Sequence, residues 1–119
     1  HIIFSQYATT GDGILTGMQL AAEMVASGKK LSELTSIVET YPQILINVAG
    51  VDKTKVDTDS ELQSLVKQAA SELGDSGRVL LRASGTESLV RVMVEAREMG
   101  DAKGWAERIA VVVEQRLKL

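Results

Sequence analysis

The run Arg82-Ala83-Ser84-Gly85-Thr86-Glu87-Ser88-Leu89-Val90-Arg91 sits between two apolar stretches, Val79-Leu80-Leu81 before it and Val92-Met93-Val94 after it. Both flanks alternate as β-strands do, and the polar centre with its glycine is turn chemistry. The reading is a β-hairpin with strands at about Arg78 to Ala83 and Ser88 to Ala96. Side chains alternate faces along a strand. Val90, Val92 and Val94 then share one face, and Leu89, Arg91, Met93 and Glu95 share the other. Arg91 points away from the valines, and Arg82 stands at the end of the preceding strand. Both guanidiniums reach the tip only if the hairpin twists there.

The tip has the chemistry of an anion site. A guanidinium is a fork of donors that fits two phosphate oxygens at once. Ser84 and Thr86 add hydroxyls, and Gly85 allows positive φ and a close backbone approach. Glu87 cannot bind phosphate, but it can orient an arginine or cap the turn. The same residues also suit an ordinary solvated hairpin, and spacing alone leaves both readings open.

From Tyr41 the pattern is that of a strand, with Ile44, Ile46 and Val48 alternating with Leu45 and Asn47 so that one face is apolar. Val51 to Asp57 is a polar connector or an edge strand. Thr58-x-x-Glu61 reads as a capping box opening a helix whose stripe is Leu62, Leu65, Val66, Ala69 and Leu73, with Gly74 at its end. After the hairpin, a helix runs from Asp101, read as its N-cap, to Lys118, with Ala102, Trp105, Ile109, Val112 and Val113 inward. Trp105 reads as a core anchor. The order β-α-β-β-α predicts an α+β fold, an antiparallel sheet with two helices packed on one face.

The first 39 residues have a different pattern. His1 to Tyr7 reads as a short strand, with Thr10 or Asp12 capping a helix from about Asp12 to Ser27. Its stripe is Ile14, Met18, Ala21 and Val25, and Gly28 closes it. A second helix spans roughly Leu31 to Val38. Few other apolar residues are available to cover these stripes, so part of the apolar face is expected to stay exposed. The boundary is placed after Glu39, giving regions 1–39 and 40–119, the first read as the helical tail of another α/β domain. Without an initiator methionine, the chain reads as cut from a longer protein.

Composition narrows the function. The 119 residues are 45% hydrophobic and carry a net charge of −3, with aromatics at only 3%. That balance lacks the basic field and stacking platforms of a nucleic-acid binder. No apolar run approaches the ~20 residues of a membrane span. Cysteine is absent and His1 is the only histidine, so neither a thiol nucleophile nor a Cys/His zinc site is available. No signal peptide is visible, and a cytoplasmic location is expected. Asp52, Asp57, Asp59 and Glu61 read as a connector and a helix start.

Arg82-x-Ser84-Gly85-Thr86-Glu87-x-x-x-Arg91 resembles the C-terminal phosphate-binding loop of the α-D-phosphohexomutase superfamily. Gly77-Arg78-Val79-Leu80-Leu81 and Val92-Met93-Val94-Glu95 extend the match. Thr9-Thr10-Gly11-Asp12-Gly13-Ile14-Leu15-Thr16 and Tyr41-Pro42-Gln43-Ile44-Leu45-Ile46-Asn47-Val48 resemble its phosphoglucosamine mutase branch. Ala83 and Ser88 depart from the usual pattern, which has lysine or proline at the first and proline at the second.

The resemblance implies a TATA-binding-protein-like C-terminal domain in which Arg82, Ser84, Gly85, Thr86, Glu87 and Arg91 bind the substrate phosphate. It makes His1 the last residue of a sugar-binding loop. It further implies interconversion of glucosamine-6-phosphate and glucosamine-1-phosphate, a step toward amino-sugar nucleotides and cell-wall precursors. The family does this with a phosphoserine and Mg²⁺, through a bisphosphate that reorients. Neither a phosphoserine motif nor an Asp-x-Asp-x-Asp-type magnesium loop is present here. The chain is therefore expected to bind no metal, hold no catalytic residue, need the N-terminal domains of the same polypeptide and be inactive alone. Expected partners are a phosphosugar and those domains, with no nucleic acid and no membrane. The alternatives are the matching part of a phosphomannomutase or phosphoglucomutase, and a non-catalytic interaction module.

Overall fold

The alternating stretches form a sheet in the computed structural model, which describes every residue from His1 to Leu119. The chain divides into two compact units, His1–Glu39 and Thr40–Leu119.

The second unit contains β1 (Gln43–Ala49), α3 (Ser60–Leu73), β2 (Gly77–Ala83), β3 (Leu89–Ala96) and α4 (Met99–Leu117). The sheet order is β1-β3-β2, and both outer strands run antiparallel to β3. β1 and β2 are thus parallel with β3 between them, and α3 makes the crossover, a split βαβ unit. Both helices pack on one face: α4 against β1 and β3, α3 against β2 and α4. The expected fold class holds.

Alternation along β3 decides which face is covered. Val90, Val92 and Val94 are fully buried. They meet Leu62, Ala69, Ile109 and Val113 from the helices in one core cluster. Burying such side chains contributes about 1.5–3 kcal/mol each before the entropy cost of ordering them. On the open face, Leu45, Met93 and Leu80 form one cross-strand row, and Asn47, Arg91 and Arg82 form the next. At the start of β2 the chains approach closely. A Cβ at Gly77 would overlap the carbonyl oxygen of Glu95.

Several boundaries differ from the sequence reading. Residues 1–7 form no strand, only a turn with Tyr7 and Ala8 N–H donating to the Phe4 carbonyl at 2.9 and 3.0 Å. The first unit contains no other strand to pair with, and a lone extended segment leaves its ladder groups unmet. The stretch Val51–Asp57 is neither merely polar nor an edge strand. It holds a 3₁₀ turn at Lys53–Lys55, and Val51 and Val56 are buried in the core. α4 begins before Asp101, with Glu98 at the N-cap position, and the Ala102 N–H donates to the Glu98 carbonyl at 3.1 Å. The chain turns straight from β3 into the helix, because the Arg97 N–H is held by the Ser76 carbonyl at 2.8 Å.

In the first unit, α1 (Gly13–Ser27) is capped by Asp12, whose carboxylate accepts the Ile14 and Leu15 N–H groups at 2.9 and 3.0 Å. α2 is shorter than expected, Leu31–Thr35. No residue of either helix is buried, and Ile14 and Val25 are 79% and 84% exposed. The apolar stripe is present, but little of the unit covers it.

The cap of α3 is Asp59, not Thr58. Its carboxylate accepts the Leu62 N–H at 2.9 Å, while the Thr58 hydroxyl donates to the Lys55 carbonyl at 3.2 Å. Arg116 of α4 makes the choice, donating to the Asp59 carboxylate at 2.9 Å and pairing with Glu61 at 2.7 Å. Thr58 has no charge to offer it. The Arg116 hydrogen bonds, then the helix N–H, hold the Asp59 carboxyl below its ordinary pKa. The unfolded chain therefore binds this proton more readily. The stabilisation is full above about pH 4 and is lost as pH falls through the lowered folded-state value. Asparagine caps about as well as aspartate, so Asp59→Asn isolates the charge. The expected result is a lower Tm at neutral pH and a smaller drop in Tm on acidification, measured by thermal unfolding at both pH values.

Candidate functional site

The register of the hairpin places Arg82 directly opposite Arg91 near its tip, with Asn47 on the other side of Arg91. Like charges directly opposite across strands disfavour the fold. Glu87 relieves part of this, its carboxylate accepting from Arg91 at 3.2 Å. The Arg82 guanidinium has no ion pair or hydrogen bond within the chain. One guanidinium is thus tethered and the other is free. Both sit on the open face, where Gln43, Leu45, Leu80, Arg82, Arg91 and Met93 line a shallow depression.

The loop between the strands is closed from inside. Ser84 is buried at 4% exposure. Its N–H donates to the Leu89 carbonyl at 2.9 Å, and its hydroxyl oxygen accepts the Glu87 N–H at 3.3 Å. Lys53, from the 3₁₀ turn, donates to the Ser84 carbonyl at 2.8 Å and to the Glu87 carbonyl at 3.1 Å. Lys53 was invisible in the sequence. It lies more than 30 residues upstream in a lysine-bearing connector, and only the tertiary fold brings it to the loop.

The outer side of the loop is bare. Gly85, Thr86, Glu87 and Ser88 are exposed, and the N–H groups of Gly85, Thr86 and Ser88 donate to no acceptor within the chain. Gly85 departs from the sequence expectation. It has no positive φ, and a Cβ there would meet nothing within 4 Å. Neither backbone strain nor internal packing requires a glycine at this position, and open space adjoins its N–H. The expected effect of Gly85→Ala is therefore asymmetric. Stability should stay within about 0.5 kcal/mol, with the smaller entropy of the unfolded chain favouring the variant. Anion binding at the loop should weaken severalfold. Denaturant melts together with a phosphate titration check both.

The remaining sequence-derived residue, His1, belongs to the first unit, where it lines a shallow cleft with Ile2, Gly11, Asp12, Gly13 and Thr16. The Asp12 carboxylate in that cleft is already engaged as the α1 cap. No three His, Asp or Glu side chains converge as a metal-binding group, and no helix is long and apolar enough to cross a membrane. Trp105 packs against the core of the second unit and carries the Arg108 guanidinium 4.9 Å from its ring centroid.

Comparison with known proteins adds three observations. Family models described as phosphoglucomutase/phosphomannomutase, C-terminal domain, and phosphoglucomutase/phosphomannomutase, alpha/beta/alpha domain III, match residues 45–112 and 1–41. Phosphoglucosamine mutase of Clavibacter michiganensis subsp. michiganensis is 53% identical over 119 residues, covering 100% of this chain and 27% of that protein. The enzyme of the same name from Acidothermus cellulolyticus is 58% identical over 117 residues, covering 98% and 25%. The chain thus spans about a quarter of the length of the curated relatives it matches. A solved structure of Aspergillus fumigatus N-acetylphosphoglucosamine mutase aligns with a TM-score of 0.76 at 26% identity, over 92% of this chain and 22% of that one. The same enzyme in complex with GlcNAc-6P and magnesium aligns at 0.71 and 27% identity, over 88% and 21%.

Proposed function

The chain belongs to the phosphoglucomutase/phosphomannomutase family, and from that premise we propose that its hairpin loop is the clamp for the substrate phosphate in a phosphoglucosamine mutase. The observation that carries the reading is the Arg82–Arg91 pair. The two residues stand directly opposite each other on the open face and line one depression, next to a loop tip with three unused N–H groups. An apposition that disfavours the free protein becomes favourable once a dianion lies between the two charges.

Each residue has a role that follows from its position. Arg82 supplies a free fork of donors. Arg91 supplies a second fork, kept in line by Glu87. Gly85, Thr86 and Ser88 present N–H groups, and the Thr86 hydroxyl adds one more donor. Ser84, turned inward, shapes the loop through its backbone and hydroxyl.

Such a clamp suits a reaction that moves a phosphoryl group between two positions of one sugar. Gripping the non-reacting phosphate turns remote binding energy into orientation at the reacting carbon. A loop that recognises only phosphate accepts either end of the sugar, so the two positions can exchange places. The chemistry at the other end requires a phosphoryl carrier and Mg²⁺. On this reading residues outside this chain, which itself brings together no metal-binding group, would supply both. The chain alone is accordingly expected to show no mutase turnover. A coupled assay on a contaminant-free preparation checks this, and steady turnover would contradict it.

The family models cover phosphoglucomutases and phosphomannomutases as well, and a phosphate clamp does not select among sugars. The relatives named phosphoglucosamine mutase, more than half identical, favour glucosamine phosphates. Comparing kcat/KM on glucosamine, glucose and mannose phosphates, with this chain inside its intact polypeptide, tests the choice. A preference for glucose or mannose phosphate would overturn it.

A further inference from the structure

We propose that Lys53 is a positioning residue for the phosphate loop, aiming its N–H donors without itself forming part of the anion's contact surface; this rests on the clamp reading above. An ammonium has three donors. Lys53 commits two of them to the carbonyls of Ser84 and Glu87, at 2.8 and 3.1 Å. These carbonyls belong to the peptide groups that carry the N–H of Gly85 and of Ser88. In a planar trans peptide the N–H points opposite to the C=O. Pinning both carbonyls to Lys53 therefore directs the Gly85 and Ser88 N–H groups away from Lys53, and neither has an acceptor in the chain. A cation on the carbonyl also polarises the peptide and makes its N–H a stronger donor.

The base of Lys53 is itself fixed. Its 3₁₀ turn is capped by Asp52, whose carboxylate accepts the Thr54 N–H at 3.1 Å and pairs with Lys55 at 3.2 Å. The Asp52 N–H donates to the Leu117 carbonyl at the end of α4, at 2.6 Å, and Val51 is bridged to Lys118. Lys53 thus ties a loop that lacks regular structure to the C-terminal end of the helix layer. A site held this way keeps its geometry before ligand arrives.

The test compares the unmodified chain with Lys53→Gln, Lys53→Arg and Arg91→Ala, each isotope-labelled. The probes are glucosamine-6-phosphate and inorganic phosphate. In Lys53→Gln, the Gly85 and Ser88 amide resonances should shift and their backbone order parameters fall, while the amides of Val92 and Ile109 stay protected from solvent exchange. The Kd for glucosamine-6-phosphate should rise about ten- to hundredfold. Lys53→Arg, which keeps a charged donor, should recover part of both effects. A purely structural role would instead move the core amides and Tm together, and Lys53→Arg would restore stability without restoring affinity. Unchanged loop amides and Kd in Lys53→Gln, alongside lost binding in Arg91→Ala, would overturn the Lys53 inference and leave the clamp standing. Unchanged binding in Arg91→Ala, or no saturable binding by the unmodified chain, would overturn the clamp and the inference with it.

Discussion

Replacing Arg82 with alanine is expected to lower affinity for glucosamine-6-phosphate between about tenfold and about a hundredfold while leaving the fold as stable as before. The loss follows from removing charge-assisted hydrogen bonds to the phosphate, worth about 1.5–3 kcal/mol. The unchanged stability follows from the register. Arg82 stands opposite Arg91 and has no partner of its own, so its removal relieves a like-charge apposition rather than breaking a bond. Its aliphatic stem covers some open-face surface, which offsets part of that relief. The net change in unfolding free energy should lie within about 0.5 kcal/mol. Residues kept for function at a cost to the fold show this combination. Isothermal titration and urea melts on the same samples read both quantities. A clear loss of stability with undiminished binding would make Arg82 a structural residue.

The largest expected loss of stability comes from Ile109→Ala. Ile109 is completely buried on α4 and belongs to the cluster that includes Val92 and Val94. Deleting its branched side chain removes the transfer free energy of three carbons and leaves a cavity, together costing about 2–5 kcal/mol. A unit of this size has only about 4–12 kcal/mol to lose, so the urea midpoint should fall by about a sixth or more. Val111, two residues on, is 50% exposed, and Val111→Ala should change stability by less than about 0.5 kcal/mol. If the two variants were equally stable, the placement of α4 over the sheet would be wrong.

What could be read in advance followed from local periodicity. The alternation of Val90, Val92 and Val94 with Arg91 and Met93 suffices to give the strand, its buried face and the outward course of Arg91. The β-α-β-β-α order follows from the same patterns, because one period fits a sheet and another a helix. What could not be read depended on distant partners. Thr58 and Asp59 are both competent caps, and Arg116 on α4 decides between them. His1 to Tyr7 has a strand's composition but no neighbouring strand in its unit. Ser84 looked like an open hydroxyl donor, yet it faces inward because its backbone is tied to Leu89 and Lys53. Lys53 itself carries no local signature, since its role exists only once the connector and the hairpin meet.

The most direct test of the phosphate clamp is an amide chemical-shift titration of the labelled chain with glucosamine-6-phosphate, repeated with unphosphorylated glucosamine. Saturable shifts centred on Gly85, Thr86 and Ser88, present only with the phosphorylated sugar and absent in Arg82→Ala and Arg91→Ala, are the expected result. No localised shifts at millimolar ligand, or equal shifts with both sugars, would contradict it.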